Sequence, residues 1–219
     1  MTTFLKPLLD WYLRSIEVGG LPLVALLMAI ESSIVPLPSE VIIPPAAHLA
    51  WTQGIPFLGT LWTGWSAQAA LVVAGAIGSW VGATAMYWFA RVAGRPVVMR
   101  YGRYVFISPH KVEGAEQWAQ TYGPFGVFAS RLLPVVRHLI GIPAGIVRMD
   151  YVRFSLYTLV GSALWSAILC WLGVQIGADV SHGDMHRVTI LLLGFLVAVG
   201  VLYWFFVHRQ MRGTQSAAR

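Results

Sequence analysis

Charge is what this chain has least of: charged residues make up only 11% of 219, with nine Asp and Glu against fifteen Lys and Arg. Three long stretches carry no Asp, Glu, Lys or Arg, from Glu40 to Arg91, from Arg153 to Asp179 and from Arg187 to Arg209. So little polar surface cannot cover a soluble globule, and it is the opposite of what keeps a chain disordered. Cysteine occurs once, as Cys170 inside an apolar run, which excludes a secreted disulfide scaffold and leaves that residue as a small core side chain. The N-terminal twenty residues, MTTFLKPLLDWYLRSIEVGG, lack the layout of a cleavable signal, because Asp10, Arg14 and Glu17 interrupt them. They read as a short interfacial helix over 1–20, with Trp11 and Tyr12 at headgroup level.

What is abundant is apolar: 57% of residues are hydrophobic and the mean hydropathy is +0.67. Each charge-free stretch is as long as, or longer than, the roughly 20 residues a helix needs to cross the hydrocarbon, so this is a polytopic membrane protein. The net charge of +6 is concentrated rather than spread. Arg91, Arg95, Arg100, Arg103 and Lys111 lie between hydrophobic segments, and Arg209, Arg212 and Arg219 form the tail. By the positive-inside rule the basic loop 91–123 and the tail 208–219 face the cytoplasm, a pattern of topology and not of nucleic-acid binding.

Two hydrophobic blocks are not ordinary spans. Residues 21–50 contain Glu31 and Glu40 and are broken by Pro36, Pro38, Pro44 and Pro45, which remove backbone donors. Residues 125–147 carry Arg131, Arg137 and His138, with breaks expected at Pro134, Gly141 and Pro143. Irregular backbone at membrane depth is tolerated only against protein or a water-filled cavity. Both blocks therefore read as re-entrant helical hairpins, while 69–90, 151–177 and 188–207 read as full transmembrane helices. The spacing predicts an all-α fold, with opposed hairpins in an inverted-repeat, transporter-like arrangement over a single membrane domain, 1–219.

Glu31, Glu40, Arg131 and Arg137 are the candidate site. Each such charge costs about 2.5–3.5 kcal/mol at a helix centre, so four imply pairing or function. At about 100° per residue, neither pair shares a face of a continuous helix, and the proline breaks are what let them converge. The guanidinium fork suits a phosphate, and a carboxyl balanced between desolvation and a neighbouring Arg suits a proton switch. Glu40 is the first choice for that switch, since it lies just past the Pro36–Pro38 break, with Glu31 holding an arginine. A purely structural set of ion pairs is the competing account.

Enzyme chemistry finds weaker footing. Ser130 and Arg131 approach the phosphatase pattern SR-x5-H-x3-D, but His138 follows six intervening residues and Ile142 stands where the Asp belongs. His182 and His186, with Asp179 and Asp184, could hold a zinc only on a helix, which Gly183 argues against, and they are read as a solvated loop. No metal, no cofactor and no catalytic residue is expected.

The strings ESSIVPLPSEVIIPPAAHLA, GSWVGATAMYWFARVAGRP and FASRLLPVVRHLIGIPAGIVRMDYVRF resemble three signature regions of the DedA family, which includes the VTT-domain lipid scramblases. The resemblance covers roughly residues 25 to 177. It implies a bacterial cytoplasmic (inner) membrane protein that flips undecaprenyl phosphate or a phospholipid such as phosphatidylethanolamine, with dependence on the proton-motive force. It places the family's acidic pair on Glu31 and Glu40 and its arginine pair on Arg131 and Arg137. The chain departs from the family where an acid often follows the second glycine of GxxxG, since Ala83 follows Gly82. A proton-coupled small-solute transporter or an osmotic sensor is the alternative from another class.

Overall fold

The structure, a computed structural model, describes residues 2–33, 38–101, 123–133, 137, 140–182, 194 and 201. Contacts divide the chain into two compact units, Met1–Val174 and Gln175–Arg219. In the second, the described residues are helical: 175–182, Gly194 and Val201.

The first unit is built from helices. α1 runs Thr2–Glu31, α2 Ser39–Thr52 and α3 Gly64–Tyr101; α4 covers residues 123–131, α5 Gly141–Ile146, and α6 starts at Tyr151 and reaches His182. Among the described residues, three helical stretches are long and apolar enough to cross a membrane, Trp11–Glu31, Gly64–Gly94 and Tyr151–Gly177. Within α1 the helical dihedrals are interrupted at Gly20, φ 55° and ψ −148°, so two helices meet there across a kink. Glycine is required there twice over, by the left-handed φ and because a Cβ would run into the Pro56 carbonyl. Pro56 belongs to a short antiparallel hairpin, β1 (Ile55–Phe57) with β2 (Thr60–Trp62), closed by Leu58 and Gly59, both at positive φ. The hairpin's Trp62, and Trp65 just beyond it, are exposed, as suits an aromatic belt.

Further differences lie at helix ends. Arg91 and Arg95 continue α3 as far as Tyr101, across a kink at Gly94, where a basic loop was expected. Residues 178–182 extend α6 where a polar loop was expected. Residues 102–122, His186 and, apart from Gly194 and Val201, the expected span 188–207 lie outside the described residues. Gly141 and Pro143, expected as breaks, sit inside α5. Proline is tolerated there because amides in a helix's first turn have no intrahelical acceptor to lose.

α3 is the scaffold on which the others pack. Gly78 and Gly82 let α1 approach so closely that a Cβ would strike the carbonyls of Ala25 and Ala29, and Gly145 brings α5 against Tyr87 in the same way. Without a hydrophobic force between helices in lipid, backbone contact of this kind supplies the van der Waals energy that holds spans together. α2, with Pro44 and Pro45 inside it, receives side-chain hydrogen bonds from its neighbours. Tyr12 donates to the Ile42 carbonyl at 2.5 Å and Gln68 to the Ala47 carbonyl at 2.8 Å.

Candidate functional site

Glu31 is the last residue of α1. A carboxylate at a helix C-terminus opposes the macrodipole and needs a counter-charge. Arg137 supplies it: Nη2 lies 2.6 Å and Nε 2.9 Å from the same oxygen, Glu31 Oε1. The other oxygen, Oε2, accepts from Ser32 Oγ at 3.0 Å. Both charged residues are buried, Glu31 3% and Arg137 4% exposed, so either one alone would be an uncompensated charge.

Arg137 is held from a second side by α6. Its Cζ lies 5.7 Å from the Trp165 ring centroid, and the indole N–H of Trp165 donates to Ser39 Oγ at 3.2 Å. Trp165 thereby links the arginine to the first residue of α2. Neither Trp165 nor Ser39 was singled out in the sequence, where one tryptophan among ten in an apolar chain carries no signal of its own.

Arg131 ends α4 and is 3% exposed, with Nε unpartnered among the described residues. It comes against α6 where that helix has Gly161, and a Cβ there would lie 2.8 Å from Arg131 Cβ. Arg131, Arg137 and Trp165 line one crevice together with Met28 of α1, Ser79 of α3, and Ser162 and Ser166 of α6. In this conformation the crevice is too narrow for a water molecule. Two guanidiniums thus border one closed crevice, Arg137 paired with Glu31 and Arg131 with an unpartnered Nε among the described residues.

Glu40 is not among the residues lining that crevice. It lies half-buried in the first turn of α2, where the free amides of a helix start favour a carboxylate, and its Oε1 has no partner among the described residues. Of the expected breaks, Pro38 precedes α2 as its N-cap residue, while Pro36 and Pro134, like His138, lie outside the described residues. No group of three or more His, Cys, Asp or Glu that could hold a metal occurs among the described residues.

The VTT domain matches residues 38–175 of this chain. The chain is 32% identical over 183 residues to undecaprenyl phosphate transporter A of Bacillus subtilis, covering 84% of this chain and 87% of that protein. It is 27% identical over 158 residues to undecaprenyl phosphate transporter A of Staphylococcus aureus, covering 70% and 72% of the two chains. An alkaline phosphatase-like protein of Lactococcus lactis subsp. cremoris is 28% identical over 189 residues, covering 82% and 83%. No solved structure matches the chain significantly.

Proposed function

This chain belongs to the VTT-domain (DedA) family, and from that premise we propose that it carries undecaprenyl phosphate across the bacterial cytoplasmic membrane in a proton-coupled cycle. The observation that carries the reading is the buried Glu31–Arg137 pair beside Arg131, in a crevice bounded by α1, α3 and α6. A phosphate monoester offers the arginines what Glu31 offers Arg137 now, planar or pyramidal oxygens carrying negative charge. It exceeds the carboxylate in charge and in acceptor number.

In this cycle the incoming phosphate displaces Glu31 from Arg137, and the released carboxyl, still shielded from water, takes up a proton. Substrate and proton then enter together, and loss of the proton restores the ion pair and expels the phosphate on the other side. What favours Glu31 over Glu40 as the proton carrier is its direct contact with Arg137; Glu40 is assigned a supporting role at the start of α2. The helix ends at Glu31 and Ser39 belong, in this reading, to one re-entrant hairpin, and α4 with α5 to a second inserted from the other face as an inverted repeat. The faces carrying Arg91, Arg148 and the tail are assigned to the cytoplasm.

Hydrolysis is not part of this activity. Ser130, the hydroxyl next to Arg131, donates to the Val127 carbonyl at 2.7 Å and is committed to its own helix.

Reconstitution in liposomes with labelled undecaprenyl phosphate and labelled phosphatidylethanolamine in parallel tests the proposal. Movement of the polyprenyl phosphate alone, accelerated by an inward proton gradient, is the expected result. Movement of phosphatidylethanolamine alone would replace it with a phospholipid scramblase.

A further inference from the structure

α6 carries Ser155, Thr158, Ser162 and Ser166 at intervals of three or four residues, which at about 100° per residue keeps all four within one face. The face points inward: Thr158 and Ser166 have no exposed surface and Ser162 has 5%. A hydroxyl buried in an apolar helix ordinarily bonds back to the carbonyl one turn earlier. Here Ser155 Oγ, Thr158 Oγ1 and Ser166 Oγ are buried with no hydrogen-bond partner among the described residues. Leaving three such groups unsatisfied costs stability with no structural return. They lie on the same helix that Arg131 meets at Gly161, and Arg131 Nε is likewise buried and unpartnered.

The ladder has direction. Ser162 and Ser166 line the arginine crevice, near the middle of the Tyr151–Gly177 span. Ser155 lies one turn inside its start, close to Arg153 of the same helix and to the preceding turn with Arg148 and Asp150. From Ser155 to Ser166 the rise is roughly 16 Å, about half the hydrocarbon thickness.

We propose that this hydroxyl ladder is the track along which a phosphate headgroup passes between the membrane face at Tyr151 and the arginine crevice. Its ligand is a phosphate monoester whose oxygens accept from the successive hydroxyls while the lipid tail stays in the hydrocarbon. Hydroxyls suit a track because each neutral donor binds phosphate weakly enough to hand it to the next, whereas another arginine would trap it. The ladder is closed in this conformation, and it opens when α4 and α6 part along the Arg131–Gly161 contact.

The inference rests on the phosphate-transport reading, and the test separates the two. Thr158→Val and Ser166→Ala each remove an unsatisfied buried hydroxyl, so a merely structural role predicts unchanged or raised thermal stability and full transport. The track predicts the same stability with undecaprenyl phosphate flux in proteoliposomes lowered roughly tenfold in each variant, the loss of about one hydrogen bond at the rate-limiting position. Thr158→Ser, which keeps the donor, should restore most of the flux. Wild-type flux with undiminished flux in both variants overturns the track alone. A wild-type chain that moves no undecaprenyl phosphate overturns the transport reading and the track with it.

Discussion

The proposed cycle gives the Glu31–Arg137 ion pair two duties, structural and transport, and they can be separated by substitution. Glu31→Gln leaves a buried guanidinium without its counter-charge and should lower stability by about 3 kcal/mol. Glu31→Gln combined with Arg137→Gln should recover part of that loss, because no charge is then stranded, while transport stays absent. Thermal unfolding in detergent beside proteoliposome flux reads both quantities. Arg131→Lys and Arg137→Lys keep the charge but lose the fork that engages two phosphate oxygens, so each should reduce flux tenfold or more with normal expression. Full activity in both lysine variants would leave the arginines as structural partners only. The proton role has its own signature, a pH profile of wild-type flux, since a carboxylate that stays charged keeps hold of Arg137. Glu40→Gln should preserve that profile. Its flattening in Glu40→Gln would return the switch to the residue that the proline break alone suggested.

Among the elements, α3 is the one whose surface must stay smooth. Gly78→Ala and Gly82→Ala place a methyl group where the backbone of α1 now lies, and each should cost roughly 1–3 kcal/mol through overpacking. The same turn carries Ile77, 46% exposed, and Ile77→Ala should change stability little. Unfolding midpoints of the three variants in one detergent check the contrast. Because α1 ends at Glu31, displacement of α1 from α3 should also lower transport. These glycines were legible as small-residue faces, but their partner was not. Sequence spacing shows which residues share a face, and only packing shows that α1 lies on Gly78 and Gly82 while α5 lies on the next turns of α3.

At the scale of the molecule, α3 is long and apolar enough to cross the membrane, and the proposed topology places its two ends at opposite faces. The β1–β2 turn lies at its start, while the Tyr87 hydroxyl near its other end donates to the Met149 carbonyl. In a Cys170→Ala background, Leu58→Cys and Asp150→Cys should therefore react with impermeant thiol reagents from opposite faces. By the charge of Arg91, Arg148 and Arg153, Asp150→Cys should be the one protected in intact cells. Labelling of both positions from one face would overturn the topology.

The charge-free runs alone identified a membrane protein and located spans over 69–90 and 151–177, which fall within the apolar helical stretches Gly64–Gly94 and Tyr151–Gly177, because the cost of a charge in hydrocarbon leaves a mark in any single sequence. The same cost made Glu31, Glu40, Arg131 and Arg137 conspicuous. The geometry at Gly20 was hidden, since a glycine in the sequence does not announce a φ of 55° and ψ of −148° inside a helical run. Pairing was hidden too. Glu31 and Arg137 are 106 residues apart, and no local rule distinguishes that pair from Glu40 with Arg131. Tertiary packing alone decided it, by closing α6 over both blocks so that Trp165 bridges Arg137 and Ser39 and the inward hydroxyls of α6 face the arginines.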